Sequence, residues 1–170
     1  MGFLDFLSST RRPGPGTPVL GASEVRDRIL ALNRPTAPYQ VRGGSSEHAD
    51  LIAEWKIADT TWSEIFYKAG LRRTFSIHMR LDAARFSVRA VDYMRTISWE
   101  AGFPRSQVWA TWSRGQFNEV SSGDTYVFTE HMTPEHAYHY QFRTFEIKTR
   151  IQEAVIGCGW TYKGVMFGRL

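Results

Sequence analysis

The sequence predicts an α+β fold: a strongly twisted, mainly antiparallel sheet of about seven to nine strands, barrel-like at its most curved, packed on one amphipathic helix in the C-terminal half. Three observations predict it. Aromatic residues make up 14% of the 170 residues, and large flat side chains suit half-buried sheet faces. The stretch RTFSIHMRLD, residues 73–82, alternates apolar and polar side chains with period two. Near the end, FEIKTRIQEAVIGCG places Ile147, Ile151, Ala154, Val155 and Cys158 on one helical stripe.

The elements follow in order. MGFLDFL sets Phe3, Leu4, Phe6 and Leu7 around Asp5, an amphipathic segment too short to hold a helix alone in water. Gly2 is followed by Phe6, where a myristoylation signal wants Ser or Thr. Residues 8–21, SSTRRPGPGTPVLG, read as a flexible Pro/Gly linker, so 1–21 form a tethered segment and 22–170 a single globular domain. A helix over 23–33 is expected, capped by Ser23 with Val25, Ile29 and Leu32 inward and stopped by Pro35 and Pro38. YQVRG and DLIAEWKI (50–57) read as strands. In TTWSEIFYKAG, Thr61 and Glu64 have capping-box spacing and Gly70 holds the C′ position, giving a helix near 62–69.

From there the chain reads as a meander. Phe75, Ile77, Met79 and Leu81 face one way; Thr74, Ser76, His78 and Arg80 face the other. A tight connection at Ala83-Ala84 leads into RFSVRA, with Leu81 opposite Phe86, Met79 opposite Val88 and Ile77 opposite Ala90. Beyond Ala90 the apolar set becomes Val91, Tyr93, Ile97 and Trp99. A period-two pattern changes face only with an extra residue, so a bulge is expected near Ala90–Asp92. QVWATWS, FNEVS and DTYVFTE are further strands, and a helix over 145–156, with Thr144 as its cap and Gly157 and Gly159 as its stop, precedes a last strand in WTYKGVMFG.

Composition narrows the function classes. The net charge of +4 is a mild excess, mostly arginine, and falls short of a nucleic-acid signature. A single cysteine excludes an internal disulfide and a Cys-based zinc site, and its place on the last helix's apolar stripe suggests an inert thiol. No apolar run is long enough for a membrane span and no signal-peptide pattern opens the chain, so a cytoplasmic protein is expected. GxSxG, Walker A, GxGxxG and EF-hand patterns do not occur.

HMTPEHAYHYQF, residues 131–142, gathers three of the five histidines. Thr133-Pro134-Glu135 is a sound helix start, and a helix would put His136 and His139 at i, i+3 on one face, where a metal pair is geometrically allowed. A hairpin would instead send His136, Tyr138, Tyr140 and Phe142 to one face and His139 to the other, with His131 in the turn. The aromatic alternation favours the hairpin, and no further ligand cluster supports a metal, so neither metal nor cofactor is expected. Glu54 and Glu64 could face one another across a cleft, although scattered carboxylates are more often surface residues. Asp92 beside the expected bulge is a re-aimed side chain or merely part of a strand's bend. On the 72–89 hairpin, Arg72, His78, Arg80, Arg85 and Arg89 could meet phosphates or anionic lipid. The plainer alternative is a solvent face whose arginines pair with acids such as Asp82.

LNRPTAPY, DLIAEWKI, EIFYKAG, MRLD…VRAVD, YVFTE and GWTYKGVMFG together resemble a group of short actinobacterial proteins with no activity attached to it. The MRLD…SVRAVD hairpin is also similar to hairpins of tubby-like (LURP-one and scramblase-related) proteins. That resemblance implies a barrel around a helix and contact with phosphoinositides or lipid. Neither resemblance transfers a functional residue.

The function expected first is a non-catalytic binding or adaptor protein, with residues 1–7 docking on a protein partner or touching a membrane surface. Second is a small ligand-binding protein or enzyme with an aromatic pocket around Trp109, Trp112, Tyr138 and Tyr140. Third is nucleic-acid or anionic-lipid binding on the arginine face, with nucleic acid the less expected of the two.

Overall fold

A computed structural model describes residues 9–68, 70–105, 113–115, 120–121, 142–165 and 170. Helix α1 (Ala22–Leu30) leads to strands β1 (Tyr39–Gly43) and β2 (Leu51–Trp55), joined through a 3-10 turn at Ser45–Glu47. Helix α2 (Thr60–Lys68) precedes the long strands β3 (Arg73–Asp82) and β4 (Ser87–Thr96). The short strands β5 (Ser98–Glu100), β6 (Phe103–Arg105), β7 (Ser113–Gly115), β8 (Val120–Ser121) and β9 (Phe142–Arg143) follow. Helix α3 (Thr144–Gly157) and strand β10 (Thr161–Gly164) come last.

The fold is α+β. The main sheet has the order β1-β2-β3-β4-β10, with β7 sharing the outer edge of β4, and it is open among the described residues. Every pairing in it is antiparallel except β10 with β4, which runs parallel from Thr161↔Ser87 to Gly164↔Ala90. The inner face buries Val41, Ala53, Phe75, Ile77, Met79, Val88 and Ala90 against Val25 and Ile29 of α1 and the Ile147/Ile151/Val155 stripe of α3. Full burial of the Val, Ile, Met and Phe side chains among them contributes about 1.5–3 kcal/mol each. Cys158 lies in the same core, and burial pushes its thiol pKa up.

Several local expectations are corrected. Glu24 accepts from the Gly21 N–H at 2.9 Å, so the cap of α1 is Gly21 and Ser23 lies inside the first turn; the helix ends at Leu30. Asp59 caps α2, its Oδ1 accepting from the N–H groups of Thr61 and Trp62 at 3.0 and 3.1 Å, while Gly70 does take the left-handed φ of +67°. The β3–β4 register is two residues away from the expected one: Leu81 faces Val88, Met79 faces Ala90 and Ile77 faces Asp92. The cause is the connection, a 3-10 turn at Ala83–Arg85 closed by Phe86 in a left-handed conformation (φ 45°), which leaves Phe86 half exposed with its ring edge-on to Trp160.

The expected bulge is absent. Pairing runs unbroken from Arg73↔Thr96 to Asp82↔Ser87, so Asp92 points into the core. There its carboxylate is ion-paired with Lys148 of α3, and both side chains are buried. An acid on the core face had made the apolar pattern look as if it changed sides. Tyr162 is buried close by, and burial together with Asp92 raises its phenol pKa.

The Pro/Gly segment expected to be a flexible linker is bonded along the C-terminal elements. Arg11 and Tyr162 exchange two backbone hydrogen bonds at 2.9 Å, and the Leu20 N–H donates to the Cys158 carbonyl at 3.0 Å. The Trp160 indole donates to the Leu20 carbonyl and the Gln152 amide to that of Ser9. Gly159 (φ +73°) makes room for this strap, since a Cβ there would sit 2.5 Å from the Pro18 oxygen.

Candidate functional site

Strand alternation that turns the apolar residues inward turns a polar set outward. Gln40, Glu54, Ser76 and Tyr93 form one row across β1 to β4, set by the pairs Gln40↔Glu54, Glu54↔Ser76 and Ser76↔Tyr93. Arg42, Ile52, His78 and Val91 form the next, and Thr74 faces Arg95 on the other side. Walls rise around these rows: the turn carrying Glu47, residues 56–59, and Ile97 with Pro104 and Arg105. They enclose a cleft of about 660 Å³, a size ordinary for small-molecule sites.

At one end a single guanidinium is shared by two carboxylates. Arg42 donates through Nε to Glu54 at 2.7 Å and through Nη2 to Glu47 at 2.9 Å, and Gln40 adds a bond to Glu54 at 3.2 Å. These bonds raise the pKa of Arg42, and its guanidinium, helped by Ser46, holds Glu47 down at about 2. Both partners are partly exposed, so the network fixes orientation more than it adds stability.

His78 occupies the middle. It is half-buried, its ring centroid 4.4 Å from that of Tyr93 with planes tilted by 50°. Burial lowers its pKa, with Glu47 and Glu54 pulling up and Arg42 and Arg95 pulling down more weakly. The imidazole is therefore neutral at pH 7, one nitrogen a donor and the other an acceptor. At the far end the Lys56 ammonium is anchored by the carbonyls of Arg34 at 2.9 Å and Pro35 at 3.5 Å, and burial lowers its pKa too. Such a site can orient a charged, hydrogen-bonding molecule. Among the described residues no group of three His, Cys, Asp or Glu side chains could hold a metal.

Of the residues singled out on the 72–89 hairpin, only His78 lines the cleft. Arg80 donates to the carbonyls of His48 and Leu170, and Arg85 pairs with Asp82 in the exposed turn. Arg72 lies just ahead of β3, its carbonyl accepting from Ile97, and Arg89 faces Arg80 across the ladder. Arg80, Arg89 and His78 are thus neighbours on the outer face, with Arg85 in the turn beyond them and Arg72 before the other end of β3. Glu54 and Glu64 do not share the cleft, since Glu64 pairs with Lys68 on α2. Trp109, Trp112, Tyr138, Tyr140, His131, His136, His139, and Phe3, Leu4, Phe6 and Leu7 lie outside the described residues.

Arg42, Lys56, Tyr93 and Arg95 were not singled out from the sequence. The signal lies in the polar parity of YQVRG and of the strand that carries Thr74, Ser76 and His78, but strand order is needed to bring those parities onto one surface. The chain matches no protein-family model, no curated protein and no solved structure. Among the described residues no helix is long and apolar enough to cross a membrane.

Proposed function

We propose that this protein is a non-catalytic binding protein that takes a small charged ligand in the cleft on the outer face of its sheet. One observation carries the reading: a half-buried His78 set against Tyr93 in a walled polar cleft. A half-buried imidazole lining a cleft among charged side chains is a feature that binding sites favour. The Arg42–Glu54 bonds fix one side of the cleft in advance, which lowers the ordering cost of binding. A lone, buried thiol suits a cytoplasmic setting.

The test is NMR of the His78 ring in the full chain during addition of a panel of amino acids, short peptides, organic acids and sugar phosphates. One chemical class should move the His78 and Tyr93 resonances saturably, and His78→Ala should weaken its binding. If every class at about 1 mM, enough to half-fill a site of millimolar Kd, left both rings unmoved, the proposal would be refuted.

A further inference from the structure

The cleft is electrically two-ended. At the Arg42 end one guanidinium meets two carboxylates, Glu47 and Glu54, leaving one net negative charge. At the other end the described lining residues include three cations, Lys56, Arg95 and Arg105, the last bonded to Glu100, and one acid, Asp59. Strand geometry sets the separation. Glu54 faces Ser76 and Arg95 faces Thr74, so the two ends are one to two double-residue steps apart, about 7–13 Å. Hydrogen-bonding groups line the path, His78 in the row of Arg42, Gln40 and Ser76 in that of Glu54 and Thr74 opposite Arg95, while Ile57, Ile97 and Pro104 wall the basic end with apolar surface.

Resting on the reading of this cleft as a ligand site, we infer that its ligand is a short zwitterionic peptide of two or three residues with an apolar C-terminal side chain. Extended chain spans about 3.3–3.6 Å per residue, so two or three residues bridge the two ends. The α-ammonium meets Glu47 and Glu54. The C-terminal carboxylate meets Lys56, whose anchoring carbonyls hold two of its three donor directions, and Arg95. The peptide amides meet Gln40, Ser76 and Thr74, and the last side chain lies on Ile57, Ile97 and Pro104. A free amino acid carries its two charges on one carbon and, with a hydrogen bond of about 2.8 Å at each end, reaches across only the shortest of these separations. A nucleotide or sugar phosphate would bring an anion to the basic end but no cation to the acidic one.

The probe is Ala-Ala-Leu titrated calorimetrically into the full chain, beside its N-acetylated and C-amidated forms. Each cap removes one charge-assisted contact and should weaken binding about 10–100-fold. Glu54→Gln should narrow the difference between free and acetylated peptide, with Glu47 remaining, and Lys56→Gln that between acid and amide, with Arg95 remaining. Because Glu54→Gln also disturbs the Arg42 network, the capped peptides on the unaltered protein decide independently of folding. Acetylated peptide binding as tightly as the free one would overturn the inference. So would failure of all three peptides to bind. In both cases another class that moves His78 would leave the cleft a ligand site, and only unresponsive His78 and Tyr93 rings would sink both.

Discussion

Replacing Lys148 by Met strands a charge in the core and tests how this fold is held together. Asp92 and Lys148 are 0% and 3% exposed, and they tie the middle of β4 to the first turns of α3. Methionine fills much of the same space, so the change removes the ammonium while keeping most of the packing. An uncompensated buried carboxylate costs about 3–5 kcal/mol. For a chain of this size that is a fall of roughly 6–20 °C in melting temperature. Asp92→Leu should cost a similar amount from the other side. The double variant Asp92→Leu/Lys148→Met puts two apolar side chains in contact and should come within about 1–2 kcal/mol of the parent, since a buried pair replaced as a unit is often neutral. Urea unfolding followed by tryptophan fluorescence gives the four corners of the cycle, and the coupling energy is the observable. Single variants losing less than about 1 kcal/mol, or a double variant losing the sum of both, would show that the pair is not buried as described.

Other outcomes follow from features outside the core pair. Gly159→Ala puts a Cβ into the Pro18 carbonyl at a φ of +73°, and should cost about 1–3 kcal/mol while speeding hydrogen exchange at the Arg11 and Leu20 amides; unchanged exchange there counts against the strap. Asn33 both donates to and accepts from the backbone of Val41, at 2.8 and 2.7 Å, and so covers part of the β1 edge. Asn33→Ala should cost about 1–3 kcal/mol and produce concentration-dependent self-association in sedimentation, whereas a monomer at all concentrations would remove the edge-covering role. The folded pKa of His78 lies below its ordinary 6.5, so the native state binds fewer protons than the unfolded one. Stability present above about pH 6.5 is then lost as pH falls toward the depressed value. His78→Gln should flatten that part of the pH profile of the urea midpoint, and a profile that keeps its slope would assign the loss to other groups.

The fold was legible where side chains alternate without interruption. RTFSIHMRLD forms β3 over the expected residues, and Phe75, Ile77 and Met79 are buried as their parity requires. Helix α3 appears with its Ile147/Ile151/Val155 stripe inward. The next strand misled because Asp92 is an acid on a core face, and its partner Lys148 lies 56 residues away, beyond any local pattern. The register slipped by two because a phenylalanine at φ 45° closes the turn, a conformation that bulky residues rarely adopt. The Pro/Gly segment had a linker's composition, yet backbone hydrogen bonds to β10 depend on no side-chain pattern at all. The candidate site failed to show for a related reason: Arg42, Glu54, His78 and Tyr93 come from four strands, and only their order and register make them neighbours.

The parallel seat of β10 has a consequence for biosynthesis. Until residues 161–164 emerge, the Ser87–Ala90 part of the β4 edge has no strand beside it, and the segment that will cover β10 has nothing to grip. The Trp160–Leu20 bond joins residues 140 positions apart. At about 5–20 residues per second, the early segment waits roughly 7–28 s for its counterpart. From the completion of Ala90 until Thr161 emerges, roughly 4–14 s at the same rate, the nascent chain carries an open template for strand addition, and a stalled or truncated product stopping short of Thr161 would carry it permanently. Such fragments, rather than the finished protein, are the species a cell's chaperones and proteases would have to manage.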